Sequence, residues 1–304
     1  MDQAERLRNM VKASRKKEFQ TARLITVTSG KGGVGKSNTS VNLAVQFRNM
    51  GYHVIIFDAD FGLANIEVMF GAIPKYNLSD LIYRGMTLEE IVIEGPMGIR
   101  FISGGSGVSE LSNLTTENVR FLARKLVQLD HMADIVIIDT GAGISDSVIE
   151  FVKISEEVVL VTTPEPTSIM DSYALLKALK RSQGFCPEEI KIHVMANRVM
   201  EKGDGNILYD RLRSVVDQFL DMELSYLGSV PYDIQVSKAI MQQKPISIVN
   251  KTAKASLAYQ EIARKLLDIE QEESKRKSGI GQVFLNLFHS SMNKRGSKTP
   301  KDSI

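Results

Sequence analysis

The chain has 304 residues, a net charge of +2, 43% hydrophobic residues and 24% charged residues. That is the balance of a folded protein with room for one large domain or two ordinary ones, and it makes no general case for a nucleic-acid partner, so any basic function must be local. Cys186 is the only cysteine, which excludes an intramolecular disulfide and a cysteine-built metal site within one chain, and no run approaches the roughly 18 apolar residues that a membrane-spanning helix needs.

In chain order, residues 1–23 come first. They are charged throughout, lack the apolar core of a signal peptide, and are expected to form a basic, partly amphipathic helix or arm ahead of a single domain over residues 24–273. Within that domain, apolar β-branched runs recur, each followed by a helical pattern. The runs are Leu24–Thr28, His53–Phe57, Ile99–Ile102, Ile135–Ile138, Val158–Thr162, Lys191–Met195 and Tyr226–Val230. Runs without polar alternation suit strands buried on both faces, so the expected fold is α/β: a mostly parallel central sheet flanked by helices. Ligands in such folds sit beyond the carboxyl ends of the strands.

The first such end carries Gly30-x-x-x-x-Gly35-Lys36-Ser37, with a strand before it and a helix expected over about Lys36–Met50. Glycines let backbone N–H groups turn inward around phosphate oxygens, and the helix N-terminus adds its positive dipole end. Lys36 then reaches the β and γ phosphates, and the Ser37 hydroxyl ligates Mg²⁺. Asp58 and Asp60 follow the second run, and Asp139 follows the fourth. Asp139 is placed to support Mg²⁺ and Asp60 to orient a water, although aspartates after strands also serve as turn and cap residues. Residues 274–304 form a tail. Over about 279–292 its Ile280, Val283, Phe284, Leu287 and Phe288 share one helical face between the basic clusters Lys275–Lys277 and Lys294–Arg295. Such a stripe suits either a helix lying on an anionic membrane or a last helix packed on the domain.

The loop Lys31-Gly32-Gly33-Val34-Gly35-Lys36-Ser37 resembles the deviant Walker A loop of the ParA/MinD ATPases. The resemblance spans about residues 24–268, and it implies ATP/ADP and Mg²⁺ as cofactors and an ATP-bound homodimer. In that dimer Lys31 crosses the interface to the partner's phosphates. Asp58-Ala-Asp60-Phe-Gly-Leu-Ala-Asn is similar to the family's switch I, with Asp60 at the water-activating and metal-side position. Ile138-Asp139-Thr-Gly-Ala-Gly143 resembles its Walker B and switch II, and Val161–Ser168 its approach to an interface helix. By the same resemblance Asn38, Asn197, Arg198, Pro231 and Asp233 join Gly30 and the loop as nucleotide contacts. The nitrogenase branch needs cysteines that this chain lacks, the tyrosine-kinase branch needs a tyrosine-rich tail, and the modest charge argues against a DNA-binding partner role.

The segment Asp2-Gln3-Ala-Glu-Arg6-Leu7-Arg8 resembles the N-terminal motif of the FlhG (YlxH, FleN) branch. It implies that Asp2, Gln3, Leu7 and Arg8 contact a FlhF-type GTPase and stimulate it. The implied function is an ATPase switch that reversibly binds anionic lipids at the inner face of the cell membrane. It would set flagellar number and placement, with flagellar basal-body or C-ring components as further partners. A MinD-like division-site regulator and a ParA-like DNA-partition ATPase are the alternatives. The helices around Ser168–Arg181 and Asn206–Phe219 are candidate partner surfaces.

Overall fold

The computed structural model describes residues 22–60, 65–105 and 127–271. The GTPase-contact residues Asp2, Gln3, Leu7 and Arg8 and the tail residues Ile280, Val283, Phe284, Leu287 and Phe288 lie outside the described residues. The strands are β1 (Arg23–Ser29), β2 (Val54–Ala59), β3 (Ile93–Glu94), β4 (Arg100–Ile102), β5 (Ile135–Ala142), β6 (Glu157–Thr162), β7 (Lys191–Val199) and β8 (Leu224–Pro231). They form one sheet in the order β3-β4-β2-β5-β1-β6-β7-β8. Every pairing is parallel except β3 with β4.

The described helices are α1 (Lys36–Asn49), α2 (Asn65–Phe70), α3 (Leu78–Tyr83), α4 (Leu88–Ile91), α5 (Asp146–Lys153), α6 (Pro166–Arg181), α7 (Asp204–Phe219), α8 (Ile234–Met241), α9 (Ile246–Val249) and α10 (Lys254–Gln271). They bury both faces of the sheet. In β5, Ile135 and Ile137 pack on one side with Phe47 of α1 and with Tyr259 and Leu266 of α10. Val136 and Ile138 face the other side with Leu78 and Leu81 of α3 and Phe151 of α5. Farther along that second side, Val158, Leu160, Ile192 and Val194 meet α5, α6 and α7. Alternate side chains of one strand therefore enter opposite cores, which is why the strands read as unbroken apolar runs.

The seven expected strands are present, with ends shifted by a few residues. β3 is an additional two-residue antiparallel edge, in which Ile93 pairs Phe101 and Glu94 pairs Arg100. The boundary of the arm moves as well: Arg23, counted with residues 1–23 from the sequence, is the first residue of β1. Its guanidinium is buried against Glu157 of β6, with Nε donating to Oε1 at 2.8 Å and Nη2 to Oε2 at 2.5 Å. Nη2 also donates to the Leu266 carbonyl. The bidentate pair joins β1 to β6, and the bond to Leu266 fastens α10 to the base of the sheet, far from the strand ends that carry the loop.

Candidate active site

The loop between β1 and α1 is set by two glycines. Gly35 caps α1 with φ 97°, a left-handed conformation that residues with a Cβ resist. A Cβ there would also stand 2.3 Å from Asn197 Nδ2, which donates to the Val34 carbonyl at 2.7 Å. Gly30 is required for a different reason. A Cβ on it would lie 2.1 Å from the Asp171 carbonyl oxygen of α6, so the loop and that helix are in backbone contact. Gly30→Ala is expected to cost about 3 kcal/mol through overpacking against backbone that cannot rotate away. A urea titration of the free protein measures it, and an unchanged midpoint would contradict the contact.

Lys36 and Ser37 open α1 and are buried. Lys36 Nζ lies 3.7 Å from Asp139 Oδ1, and Ser40 Oγ donates to the same oxygen at 2.7 Å. Asp139 is fully buried within β5, opposite Val27 of β1 and Asp58 of β2. Burial raises its pKa above the usual carboxylate range, against the pull of Lys36, Ser37 and Ser40. Its Oδ2 has no hydrogen-bond partner. An orphaned carboxylate oxygen beside a lysine and a serine hydroxyl is costly unless a cation completes it.

Among the described residues no group of three His, Cys, Asp or Glu side chains could hold a metal unaided. The donors therefore fit Mg²⁺ bound together with phosphate oxygens, through Ser37 and Asp139. Asp139→Asn is expected to weaken Mg²⁺-dependent nucleotide binding by about tenfold or more, since the replacement amide offers one acceptor and no charge. Titrating a fluorescent ATP analogue with and without Mg²⁺ checks this; equal loss in both conditions would contradict the metal assignment.

The sequence gives the water-orienting role to Asp60, and the structure gives the two acids different surroundings. Asp58 is fully buried. It accepts the Asp60 N–H at 3.1 Å and the Ile66 N–H at 3.2 Å, holding the start of α2 against the end of β2. Burial, followed by the charge of Asp139, raises its pKa well above the ordinary value. Asp60 is only partly buried, and its Oδ2 accepts from Asn65 Nδ2 at 3.4 Å. Its Oδ1 faces Gly141, 3.7 Å from where a Cβ would stand on that glycine. Asp58 is thus committed to backbone, while Asp60 remains available to a ligand.

Lys31 points the other way from Lys36. It sits at the surface, its Nζ donating to Glu165 Oε2 at 2.8 Å and to Thr167 Oγ1 at 2.9 Å. That hydrogen bond and the lysine charge lower the Glu165 pKa. Thr167 belongs to α6, so the extra lysine of the loop rests on the exposed end of the helix that Gly30 touches.

Next to the loop is a narrow cavity of about 80 Å³ lined by Gly35, Asn38, Asn197, Arg198, Pro231 and Asp233. Asn38, Asn197, Arg198, Pro231 and Asp233, expected from the sequence as nucleotide contacts outside the loop, meet there. Several are already engaged. Asn197 holds Val34, as above, and Arg198 adopts φ 57°. Asp233 caps α8 by accepting the Gln235 N–H at 2.9 Å, and its other oxygen accepts the Ala255 N–H at 3.4 Å. Sequence reasoning missed Tyr259, which lines the cavity from α10 and accepts from Asn38 Nδ2 at 3.1 Å. No motif marks it, because it comes from the last helix by tertiary packing. Gly32, Gly33 and Val34 complete the loop, with Gly33 at φ 77°.

Comparison with known proteins agrees with this geometry. The family model described as ParA, the NUBPL iron-transfer P-loop NTPase, matches residues 20–267. The antiactivator FleN of Pseudomonas aeruginosa is 40% identical over 243 residues, 80% of this chain and 85% of its own length. The flagellum site-determining protein YlxH of Helicobacter pylori is 34% identical over 270 residues, 86% of this chain and 87% of its own length. The septum site-determining protein MinD of Pyrococcus horikoshii, solved with Mg-ADP, superposes with a TM-score of 0.67 at 22% identity. That superposition covers 84% of this chain and 100% of that one, and it is a likeness of fold.

Proposed function

Because this chain belongs to the ParA/MinD family of P-loop NTPases, we propose that it is an ATP-hydrolysing switch that dimerises around bound ATP, binds the membrane reversibly, and governs flagellar number and placement. The flagellar part rests on the FleN and YlxH relatives. The switch rests on one observation: the loop carries two lysines with opposite commitments. Lys36 turns inward to Asp139, and Lys31 turns outward to Glu165. A surface cation beside a phosphate loop, directed away from its own site, is placed to serve a facing copy.

The chemistry follows from the residues. Backbone N–H groups of Gly32–Lys36 cradle the phosphates, and Lys36 neutralises charge on the β and γ groups. Ser37 and Asp139 would hold Mg²⁺, which would supply neutralising charge to the phosphates. Asp60 orients a water in line with the γ-phosphorus. As its P–O bond to ADP breaks, Lys31 of the facing copy meets the charge spread over the equatorial oxygens. The products are ADP and phosphate, and losing the γ-phosphate removes what Lys31 holds, so the dimer parts.

No described helix is long and apolar enough to cross a membrane. Membrane attachment is assigned to the tail stripe Ile280, Val283, Phe284, Leu287 and Phe288, which one copy presents weakly and a dimer presents twice. Asp2, Gln3, Leu7 and Arg8 are assigned to a FlhF-type GTPase partner. The test is co-sedimentation of the full chain with anionic vesicles in ATP and in ADP, beside Phe284→Glu/Phe288→Glu. Binding in ATP that this variant loses is the expected result. Equal binding in both nucleotides, or none, would overturn the membrane switch.

A further inference from the structure

Between Ile234 and Gln260 the chain carries Lys238, Lys244, Lys251 and Lys254 and no Asp, Glu or Arg. These residues make up α8, α9 and the first turns of α10, and they fold into one corner of the molecule. The Gln235 side chain accepts from Asn250 Nδ2 at 2.7 Å, and the Asn250 carbonyl accepts from Ser256 Oγ at 2.6 Å. All four lysines are exposed, and none has an ion-pair partner among the described residues. Two carboxylates border the segment: Asp233 is turned onto the Gln235 and Ala255 N–H groups, and Glu261 pairs with Lys265 at 3.2 Å. Both are thus engaged away from the four lysines.

Large apolar side chains are interleaved with this charge. Ile234, Lys238 and Met241 follow i, i+4, i+7 spacing on α8, one face of the helix, and Met241 is 85% exposed. Val249 and Leu257 are exposed beside Lys251 and Lys254. Lysines flanking exposed Ile, Met, Val and Leu match a surface in which headgroup phosphates meet the ammonium groups and the apolar tips enter the acyl boundary. A nucleic-acid surface would favour arginine, whose planar fork pairs with phosphate and base edges, and the segment has none.

We propose that this acid-free corner is a second contact with an anionic lipid surface, made by the folded body itself and additional to the tail. The inference rests on the membrane reading above. α8 also lines the cavity beside the phosphate loop through Val236, Ser237 and Ile240, so the helix offered to lipid is also a wall of that cavity. α10, which begins at Lys254, leads on to the tail. Tail and corner thus belong to one continuous stretch of chain.

The test uses the full chain in ATP, with vesicles of phosphatidylcholine alone and with about a third phosphatidylglycerol. Lys238→Gln/Lys244→Gln/Lys251→Gln/Lys254→Gln is compared with the control Lys202→Gln/Arg211→Gln, whose exposed cations lie around α7. If each lysine at an anionic surface contributes about fivefold and half of that is realised, the fourfold variant loses about thirtyfold in affinity for the anionic vesicles. It should match wild type on the neutral ones, keep wild-type ATP hydrolysis, and the control should bind like wild type. Undiminished anionic-vesicle binding by the fourfold variant, with Phe284→Glu/Phe288→Glu defective, would overturn this inference and leave the tail reading standing. Wild type that binds no vesicle would overturn both. Duplex-DNA retention that the fourfold variant loses while its vesicle binding is unchanged would assign the corner to nucleic acid instead.

Discussion

Lys31→Ala is expected to lower ATP hydrolysis about a thousandfold while leaving ATP binding and the fold nearly intact. The two halves of that expectation have separate causes. In the free chain Lys31 touches Glu165 and Thr167 at the surface, and an exposed ion pair contributes little to stability. Its own phosphate site already has a buried lysine, Lys36. What is lost is the cation delivered from the facing copy, a role in which a single positive charge accelerates phosphoryl transfer by about 10³ to 10⁵. Single-turnover hydrolysis and equilibrium binding of an ATP analogue, measured side by side, separate the two. A large loss of binding would move Lys31 into its own subunit's site.

Asp60→Ala is the second large expectation. Hydrolysis should fall by about 10² to 10⁴ through loss of the group that orients the water, while ATP still binds and the dimer accumulates because it no longer discharges. Size-exclusion chromatography in ATP reads the dimer directly, and a variant that stays monomeric with ATP would contradict this role. Asp58 provides the contrast. Its carboxylate is occupied by the Asp60 and Ile66 N–H groups, so Asp58→Ala should lower stability as well as rate, whereas Asp60→Ala should leave stability near wild type.

The sheet was readable from sequence because its central strands are buried on both faces, so Ile135–Ile138 and Val158–Thr162 appear as unbroken apolar runs. β3 was not readable: two residues have no period, and Ile93–Glu94 is a strand only because Phe101 and Arg100 pair with it. The loop and the acids at strand ends were equally legible, since their function depends on local spacing. The backbone contacts of Asp58 were not, because they depend on which carboxylate the turn into α2 covers.

Contacts distant in sequence were also hidden. Arg23 meets Glu157 and Leu266, Asn197 meets the loop carbonyl of Val34, and Tyr259 meets Asn38. Each joins residues more than a hundred positions apart, where no pattern can signal the pairing. The approach of Gly30 to α6 is similar. The motif supplies a glycine for phosphate, and tertiary packing gives it a second duty against the Asp171 backbone.

The central claim is that one copy's Lys31 completes the other copy's site, and mixing two inactive proteins tests it most directly. Lys31→Ala retains Asp60, and Asp60→Ala retains Lys31. In a mixed two-fold dimer, one of the two sites then has its own Asp60 and a partner's Lys31. Random exchange should restore about a quarter of wild-type hydrolysis at equal total protein. A mixture no more active than its two components would mean that Lys31 works within its own subunit, and the dimer-coupled account would fail.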